Sequence, residues 1–320
     1  MSFSSKTKNE LSRMKIENLC CASAELSALV RMSGAIQFTG LGKFSVKFTT
    51  ENAAIARRIF TLLKVLYNTH TEVMVRRNRQ LKKNNNYLMI VDDHKNAEKI
   101  LNDTGIFTEE GKSTLEINYK VPTDVIKTKC CKRSYIRGAF LGGGSLSDPE
   151  KTYHLEFVTH TLEHGENLRD IINSFDLTSK IVERKDKFIV YIKEGEQIVD
   201  LLNIIGAHSA LLKLENIRVL KEVRNNINRI VNCETANLSK TINAAIRQIR
   251  NIKYIDEVMG LEELPDNLQE IANVRVLNKD SSLKELGEKL DPPVGKSGVN
   301  HRLRKLEKIA EDLKRERGEI

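Results

Sequence analysis

Cys20-Cys-Ala-Ser-Ala-Glu-Leu-Ser-Ala-Leu-Val-Arg-Met-Ser-Gly-Ala-Ile36 and Cys130-Cys-Lys-Arg-Ser-Tyr-Ile-Arg-Gly-Ala-Phe-Leu-Gly-Gly-Gly-Ser-Leu146 are two versions of one pattern. Each opens on a Cys pair, turns apolar at Leu26 or Ile136, and closes on Gly followed by a small residue. The copies lie 110 residues apart, and a fixed period marks a repeated structural unit. The likeness continues downstream. Phe44-Ser-Val-Lys-Phe48 answers Tyr153-His-Leu-Glu-Phe157, and both alternate like half-buried strands. Ile55, Ile59, Leu62, Leu63 and Leu66 then recur at helical spacing, as do Leu168, Ile171, Ile172 and Phe175. Two more strands follow each helix, over 71–75 with 87–91 and over 180–183 with 188–192. A closing helix ends each unit, near 95–102 and 196–204.

Each unit therefore reads helix–strand–strand–helix–strand–strand–helix, and the pair predicts an α+β N-terminal domain of two αββαββα lobes related by a pseudo-two-fold axis. Ser134, Gly138 and Gly142 recur every fourth residue in the second motif helix, and Ala24 and Ala28 take the matching places in the first. Small residues at that spacing let two helix backbones approach closely, so the motif helices are predicted to pack on each other. We assign 1–115 to the first lobe, 116–215 to the second, 216–238 to a linker or joint and 239–320 to an all-α domain.

The 320 residues are 40% hydrophobic and 30% charged, which supports several small cores and excludes collagen-like, low-complexity and disulfide-scaffold classes. No apolar run reaches the roughly 20 residues of a membrane span, and Met1–Lys8 has no apolar signal core. The expected location is the cytoplasm, with free thiols. Lys+Arg exceed Asp+Glu by 52 to 43, and the excess is clustered. Arg57–Lys83 holds eight basic residues against Glu72 alone, Val125–Ser147 five against none, and Lys221–Lys253 seven against Glu222 and Glu234. Several such clusters in one basic chain point to nucleic acid.

The lobes resemble the LAGLIDADG homing-endonuclease fold, in which two such helices form the interface between α/β lobes. That resemblance implies an acidic residue near the end of each motif helix, holding a catalytic divalent metal. Here those positions fall on Ser33 and Gly143, and neither supplies a carboxylate oxygen. The next acids are Glu51 and Asp148, beyond the helix ends. No catalytic residue, cofactor or metal is assigned. Adjacent Cys–Cys pairs are poor ligand spacing beside Cys-x-x-Cys, and no His lies nearby in sequence, so Cys20, Cys21, Cys130 and Cys131 are read as buried structural thiols. Leu141-Gly-Gly-Gly-Ser145 and Gly295-Lys-Ser297 imitate nucleotide loops but carry Ser147 and Leu290 where those motifs need Gly. His154, His160 and His164 are given no role.

The C-terminal hundred residues lose strand alternation. Ile242, Ile246 and Ile249 are expected inward on a helix over 239–254, with Lys240, Arg247 and Arg250 outward. Ser282-Leu-Lys-Glu285 is a capping box opening a helix with Leu283, Leu286 and Leu290 inward. Gly287 marks a close crossing, and Asp291-Pro-Pro-Val-Gly295 turns the chain. A second helix from Ser297 buries Val299, Leu303, Leu306 and Ile309 or Ala310. The whole is a helix-turn-helix at about 281–314. Its DNA-binding residues are predicted to be Ser282, Lys284, Lys296, Ser297, Asn300, His301, Arg302, Arg304, Lys305 and Lys308. Asn pairs with adenine and Arg with guanine in the major groove, while Lys and Ser hold phosphates. Further backbone contacts are assigned to Arg229, Asn232, Lys240, Arg247 and Arg250, and in the first lobe to Arg76, Arg77 and Arg79.

Taken together, the chain resembles the WhiA family of bacterial regulators. The likeness rests on Cys130-Cys131 with Tyr135–Ser145, on Asn232-Cys-Glu-Thr-Ala-Asn237, and on Pro292-Pro-Val-Gly-Lys-Ser-Gly-Val-Asn-His-Arg-Leu303. It implies a degenerate LAGLIDADG domain joined to a DNA-binding helix-turn-helix, with roles in sporulation-linked transcription, cell division and chromosome segregation. The expected protein is a non-enzymatic, nucleoid-associated binder of double-stranded DNA. It has no membrane partner, and its lobes grip DNA backbone or a regulator or division factor. The alternatives are a metal-dependent endonuclease with unlocated acids, and a division-machinery module that binds DNA without sequence preference.

Overall fold

A short N-terminal helix, α1 (Phe3–Leu11), precedes the first motif helix, α2 (Leu19–Ser33). The second motif helix, α5 (Lys129–Gly143), has the same 15 residues, and both stop where Gly34 and Gly144 turn extended. The computed structural model describes residues 1–40, 43–77, 85–107 and 117–319, and the side chains of all of these except 39, 40 and 77. The chain divides into two units, Met1–Lys221 and Glu222–Ile320.

In the first unit each motif helix feeds a four-stranded antiparallel sheet. The first lobe runs β1 (Gly34–Gly40), β2 (Lys43–Thr50), α3 (Ala53–Tyr67), β3 (Glu72–Arg77), β4 (Asn85–Val91) and α4 (His94–Asp103). The second runs β5 (Gly144–Leu146), β6 (Leu155–Thr159), α6 (Leu162–Asn173), β7 (Lys180–Arg184), β8 (Lys187–Ile192) and α7 (Gly195–Ile205). Strand orders are β1-β2-β4-β3 and β5-β6-β8-β7, one topology used twice. Register repeats as well: Phe48 faces Gly34 and Met89, and Phe157 faces Gly144 and Val190. The predicted order of elements in each lobe is the observed one. Helix α1 was not predicted, because nine residues with a weak apolar stripe give little periodicity to read.

The lobes share one core, and α2 crossing α5 is its centre. Ala24, Ala28 and Ser134 are buried at the crossing. A Cβ on Gly138 would stand 2.3 Å from the Glu25 carbonyl oxygen, so that backbone contact admits only glycine. Glu25 itself is buried and paired twice. Arg58 on α3 binds it two-pronged at 2.7 and 2.8 Å, and Arg137 on α5 donates at 3.0 Å. Arg58 also donates to the Met14 carbonyl, and Arg137 to the Ile205 carbonyl and the Ser134 hydroxyl. A buried carboxylate needs such pairing, and here the pairing ties both motif helices to α3 and the end of α7. The matching position in the second helix is Tyr135, whose hydroxyl shares a 2.9 Å hydrogen bond with His164 Nε2.

Two expectations, on the cysteines and on Ile242 and Ile246, are corrected. The Cys pairs are not uniformly buried: Cys131 is, Cys21 is half-buried, and Cys20 and Cys130 are exposed. They sit in the first turns of α2 and α5, where the helices open toward solvent. The boundary between the two units falls inside 216–238, the stretch expected as a joint, and the residues there are helical within α8 (His208–Met259). No Gly or Pro interrupts 207–259, so the Asn-rich stretch lacks any residue that forces a break. On that helix Ile242 and Ile246 are about half exposed, at 48% and 52%. The buried line is Ala245, Ile252 and Ile255, because the neighbouring helices pack there, a few residues around from the stripe with the most Ile. Arg77's side chain and Arg79 lie outside the described residues, and Arg76 is exposed on β3.

Two outcomes follow from this core. Gly138→Ala should lower stability by about 1–3 kcal/mol through overpacking, although the same change raises helix propensity; chemical denaturation gives the sign. Burial holds the His164 imidazole down to about 3 from 6.5, with the charges of Arg31 and His160 adding to the effect. The unfolded chain then binds a proton that the folded one refuses, so stability falls as pH drops below the ordinary value. Between about pH 7 and about pH 5 this loss is about 2 kcal/mol, and His164→Gln should remove it from the pH dependence of the denaturation midpoint.

Candidate nucleic-acid interface

The second unit is built of the remainder of α8 with α9 (Asp266–Leu277), α10 (Leu283–Glu288) and α11 (Lys296–Glu316). Leu286, Leu290, Val299, Leu303, Leu306 and Ala310 are buried together with Ile252, Ile255, Leu268 and Ile271. The predicted capping box is present: the Ser282 hydroxyl accepts from the Glu285 N–H, and the Glu285 carboxylate accepts from the Ser282 N–H at 2.7 Å. That backbone hydrogen bond holds the Glu285 carboxyl below its ordinary value. Gly287 allows the turn to fold back. A Cβ there would meet the Val294 carbonyl oxygen at 1.9 Å, while Val294 N–H donates to the Gly287 carbonyl at 2.9 Å. The close crossing expected at Gly287 is thus made by the turn's own backbone, with Val299 of α11 behind it. Helix α9 was missed in sequence, although Leu268, Ile271, Ala272 and Arg275 follow helical spacing and are its buried face.

Helical geometry sorts the predicted DNA-binding residues of α11. At about 100° per residue, Val299, Leu303, Leu306 and Ala310 define the inward line, and Ser297, His301, Arg304 and Lys308 fall opposite it. Those four are exposed, as are Lys296 and Lys305. Arg302 falls on the other flank. Its guanidinium is turned back onto α9, donating to the Glu270 carboxylate at 3.3 Å and the Asn267 carbonyl at 3.4 Å, so it is removed from the exposed set. Lys296 and Ser297 occupy the first turn of α11, whose N-cap Gly295 brings no side chain to the open N–H groups.

Lys284, Lys296, Asn300 and Arg304 line a groove of about 530 Å³ together with Lys240 and Arg247 of α8. Two of the residues assigned to backbone contact are therefore brought beside the helix-turn-helix. Arg229 and Asn232 are exposed on α8 and do not line this groove, nor does Arg250. Within the groove Arg247 pairs with Glu307 at 2.8 Å, which offsets the acid on the wall. Arg275 and Gln248 complete the lining and were not anticipated. Arg275 is buried and donates to the Ser281 carbonyl at 2.6 Å, fixing the segment that leads into α10; burial lowers its pKa. Gln248 Oε1 has no partner.

In the first unit, Ser33 and Gly143 are the last residues of α2 and α5, the positions expected. Ser33 Oγ donates to the Leu29 carbonyl at 3.0 Å. A Cβ on Gly143 would stand 3.0 Å from the Val158 carbonyl oxygen and 2.4 Å from Met32 Cε, so a side chain there would require Met32 to move. Asp148 is engaged in its own turn, accepting from the Glu150 N–H. Among the described residues, no group of three or more acidic, His or Cys side chains gathers at these helix ends.

Comparison with known proteins assigns this arrangement. Residues 19–107 match the WhiA N-terminal LAGLIDADG-like domain, 132–224 the WhiA LAGLIDADG-like domain, and 227–310 the WhiA C-terminal HTH domain. A probable cell division protein WhiA of Alkaliphilus metalliredigens is 61% identical over 318 residues, covering 99% of each chain. The chain belongs to the WhiA family. A second WhiA relative, from Thermoanaerobacter sp., is 59% identical over 317 residues, with the same coverage. The crystal structure of full-length WhiA from Thermatoga maritima is similar with a TM-score of 0.59 at 28% identity, covering 98% of this chain and 99% of that one. The WhiA match spans both the lobes and the helix-turn-helix, so the groove lies within a recognised HTH domain. No helix of the described residues is long and apolar enough to cross a membrane.

The WhiA turn supplies its own test. Gly287→Ala should destabilise the second unit by about 1–3 kcal/mol. It should broaden the α10–α11 amide signals in NMR spectra, while Gly318→Ala, whose strain from a φ of +69° is confined to the residues after α11, should leave the α10 signals sharp.

Proposed function

We propose that this chain is a non-enzymatic, sequence-specific binder of double-stranded DNA, acting in cell division, as its relatives' names suggest, and in chromosome segregation, as the family resemblance implies. The observation that carries the reading is the groove. Three helices bring Lys240, Arg247, Lys284, Lys296, Asn300 and Arg304 to one concave surface. Arg304 and Asn300 are the base readers on this view, able to pair two-pronged with guanine and adenine. Lys296, Ser297, Lys284, Lys240 and Arg247 hold phosphates, with His301, Lys305 and Lys308 along the outer flank of α11. Within the second unit the exposed Arg229, Asn232 and Arg250 offer further backbone or protein-partner contacts, and in the first unit the exposed Arg76 does so separately. A charge of +9 favours association with the nucleoid.

Loss of nuclease chemistry fits the same picture. Metal-assisted cleavage needs hard oxygen ligands, and Ser33 and Gly143 stand where the lobes would supply them.

Selection of bound duplexes from a random pool, by full-length protein with Mg²⁺ present, tests this directly. Intact fragments sharing one motif are expected. Intact fragments without a motif would leave a non-specific division module, and cut fragments would overturn the non-enzymatic assignment. Arg304→Ala should then relax preference at one base position at about 1–3 kcal/mol, and Lys296→Ala should weaken all sequences alike and reduce the salt slope by about one.

A further inference from the structure

The N-terminal ends of the motif helices hold a cluster that DNA binding does not use. Cys20 and Cys21 are the second and third residues of α2, and Cys130 and Cys131 are the second and third of α5. Their four sulfur atoms all lie within 4.8 Å of one another, and none is in a disulfide. We infer that Cys20, Cys21, Cys130 and Cys131 form a tetrathiolate site for one thiophilic divalent cation of the Zn²⁺ type, bridging the two lobes.

The geometry fits a single ion. Four sulfurs around a tetrahedral ion at Zn–S bonds of about 2.3 Å stand about 3.8 Å apart, so the observed cluster needs an adjustment of no more than about 1 Å. Symmetry fits as well. A tetrahedron has two-fold axes that exchange its vertices in pairs, and the pseudo-dyad between the lobes exchanges one Cys pair with the other. The adjacent spacing that argues against chelation within one segment loses its force here. Each helix supplies only two ligands, and the decisive separation is between helices, set by the α2–α5 crossing.

The chemistry of the surroundings points the same way. Thiolates select soft cations over Mg²⁺ or Ca²⁺, and four protein ligands leave no open coordination position, which is the structural type of site. On binding, four S–H protons leave to solvent as four S–metal bonds form, and the complex carries two negative charges. Those charges sit at the positive ends of two 15-residue helices; Asn18 makes no side-chain cap on α2, whereas on α5 the Thr128 hydroxyl accepts from the Cys131 N–H. Lys129 stands beside the second pair in sequence, and Arg133 lines a cavity of about 550 Å³ that reaches Cys21 and Cys130 and gives access from solvent. The site lies at the opposite helix ends from Ser33 and Gly143, so it is unrelated to the endonuclease positions. Its role is a clamp, since binding free energy at a site absent from the unfolded chain becomes folding free energy.

The test uses full-length protein, reduced and stripped with chelator, then titrated with Zn²⁺ and separately with Co²⁺. One ion per chain is expected, with thiolate-to-Co²⁺ charge-transfer bands and tetrahedral d–d bands. Zn²⁺ should shield four thiols from a thiol reagent, leaving the exposed Cys233 reactive, and should raise the melting temperature. Cys233→Ser should bind as wild type. Cys20→Ser or Cys131→Ser should weaken binding by at least about 100-fold, the upper end for loss of an outer-shell group. Because titration of the wild-type chain decides the matter alone, a variant that fails to fold does not obscure it. Absence of both the Co²⁺ bands and the thiol protection would overturn the site. So would loss of four hydrogens in air, as two inter-helix disulfides, from a reduced chain that takes up no Zn²⁺.

Discussion

The Gly138 backbone pressed against the Glu25 carbonyl is the constraint from which the first unit is built. Two helices that touch backbone to backbone have one permitted separation, and everything attached to them inherits it. Their C-terminal ends set the starts of β1 and β5, and so the placement of both sheets. Their N-terminal ends bring two Cys pairs, 110 residues apart in sequence, into a single cluster. Between the ends, the same crossing buries Glu25 within reach of both Arg58 and Arg137. One close contact thus fixes a scaffold, a thiol cluster and a charge network. A substitution there would be felt at all three.

The two copies of the repeat have kept the crossing and diverged in what they bury beside it. Glu25 on one helix corresponds to Tyr135 on the other, and each has recruited its own partner: an arginine pair for the carboxylate, a neutral histidine for the phenol. Arg31 shows a further asymmetry. It is buried, has no acid partner among the described residues, and donates from both terminal nitrogens to the carbonyls of Thr104, Gly105 and Lys120, so it joins the end of α4 to the start of the second lobe's lead-in. Burial lowers its pKa, and the carbonyl hydrogen bonds offset part of the desolvation.

Legibility in the sequence followed the range of the interaction. Alternation, helical spacing and the capping box are local, and each lobe's order of elements, the motif-helix ends and the Ser282–Glu285 box could be read directly. What could not be read depended on contacts made in three dimensions. Ile242 and Ile246 form the stronger apolar stripe, yet the packing surface of α9–α11 meets Ala245, Ile252 and Ile255 instead. Arg302 looks like its exposed neighbours in sequence, and only the approach of Glu270 from α9 turns it inward. The groove likewise joins α8 to α10 and α11, so Lys240 and Arg247 could be suspected but not placed.

The stretch expected to be a joint is instructive for another reason. Residues 222–243 of α8 are all exposed, although the helix continues unbroken through them. A segment exposed in this way draws its helical state chiefly from propensity and local side-chain pairs, which contribute only a few tenths of a kcal/mol each. Asn225, Asn226, Asn228 and Asn232 are among the poorer helix formers, and they concentrate there. The polar composition that suggested a hinge therefore marks a real difference, one of support and not of path. Buried positions on α8 end at Leu214, partial cover ends at Lys221, and cover resumes only at Ala244 and Ala245.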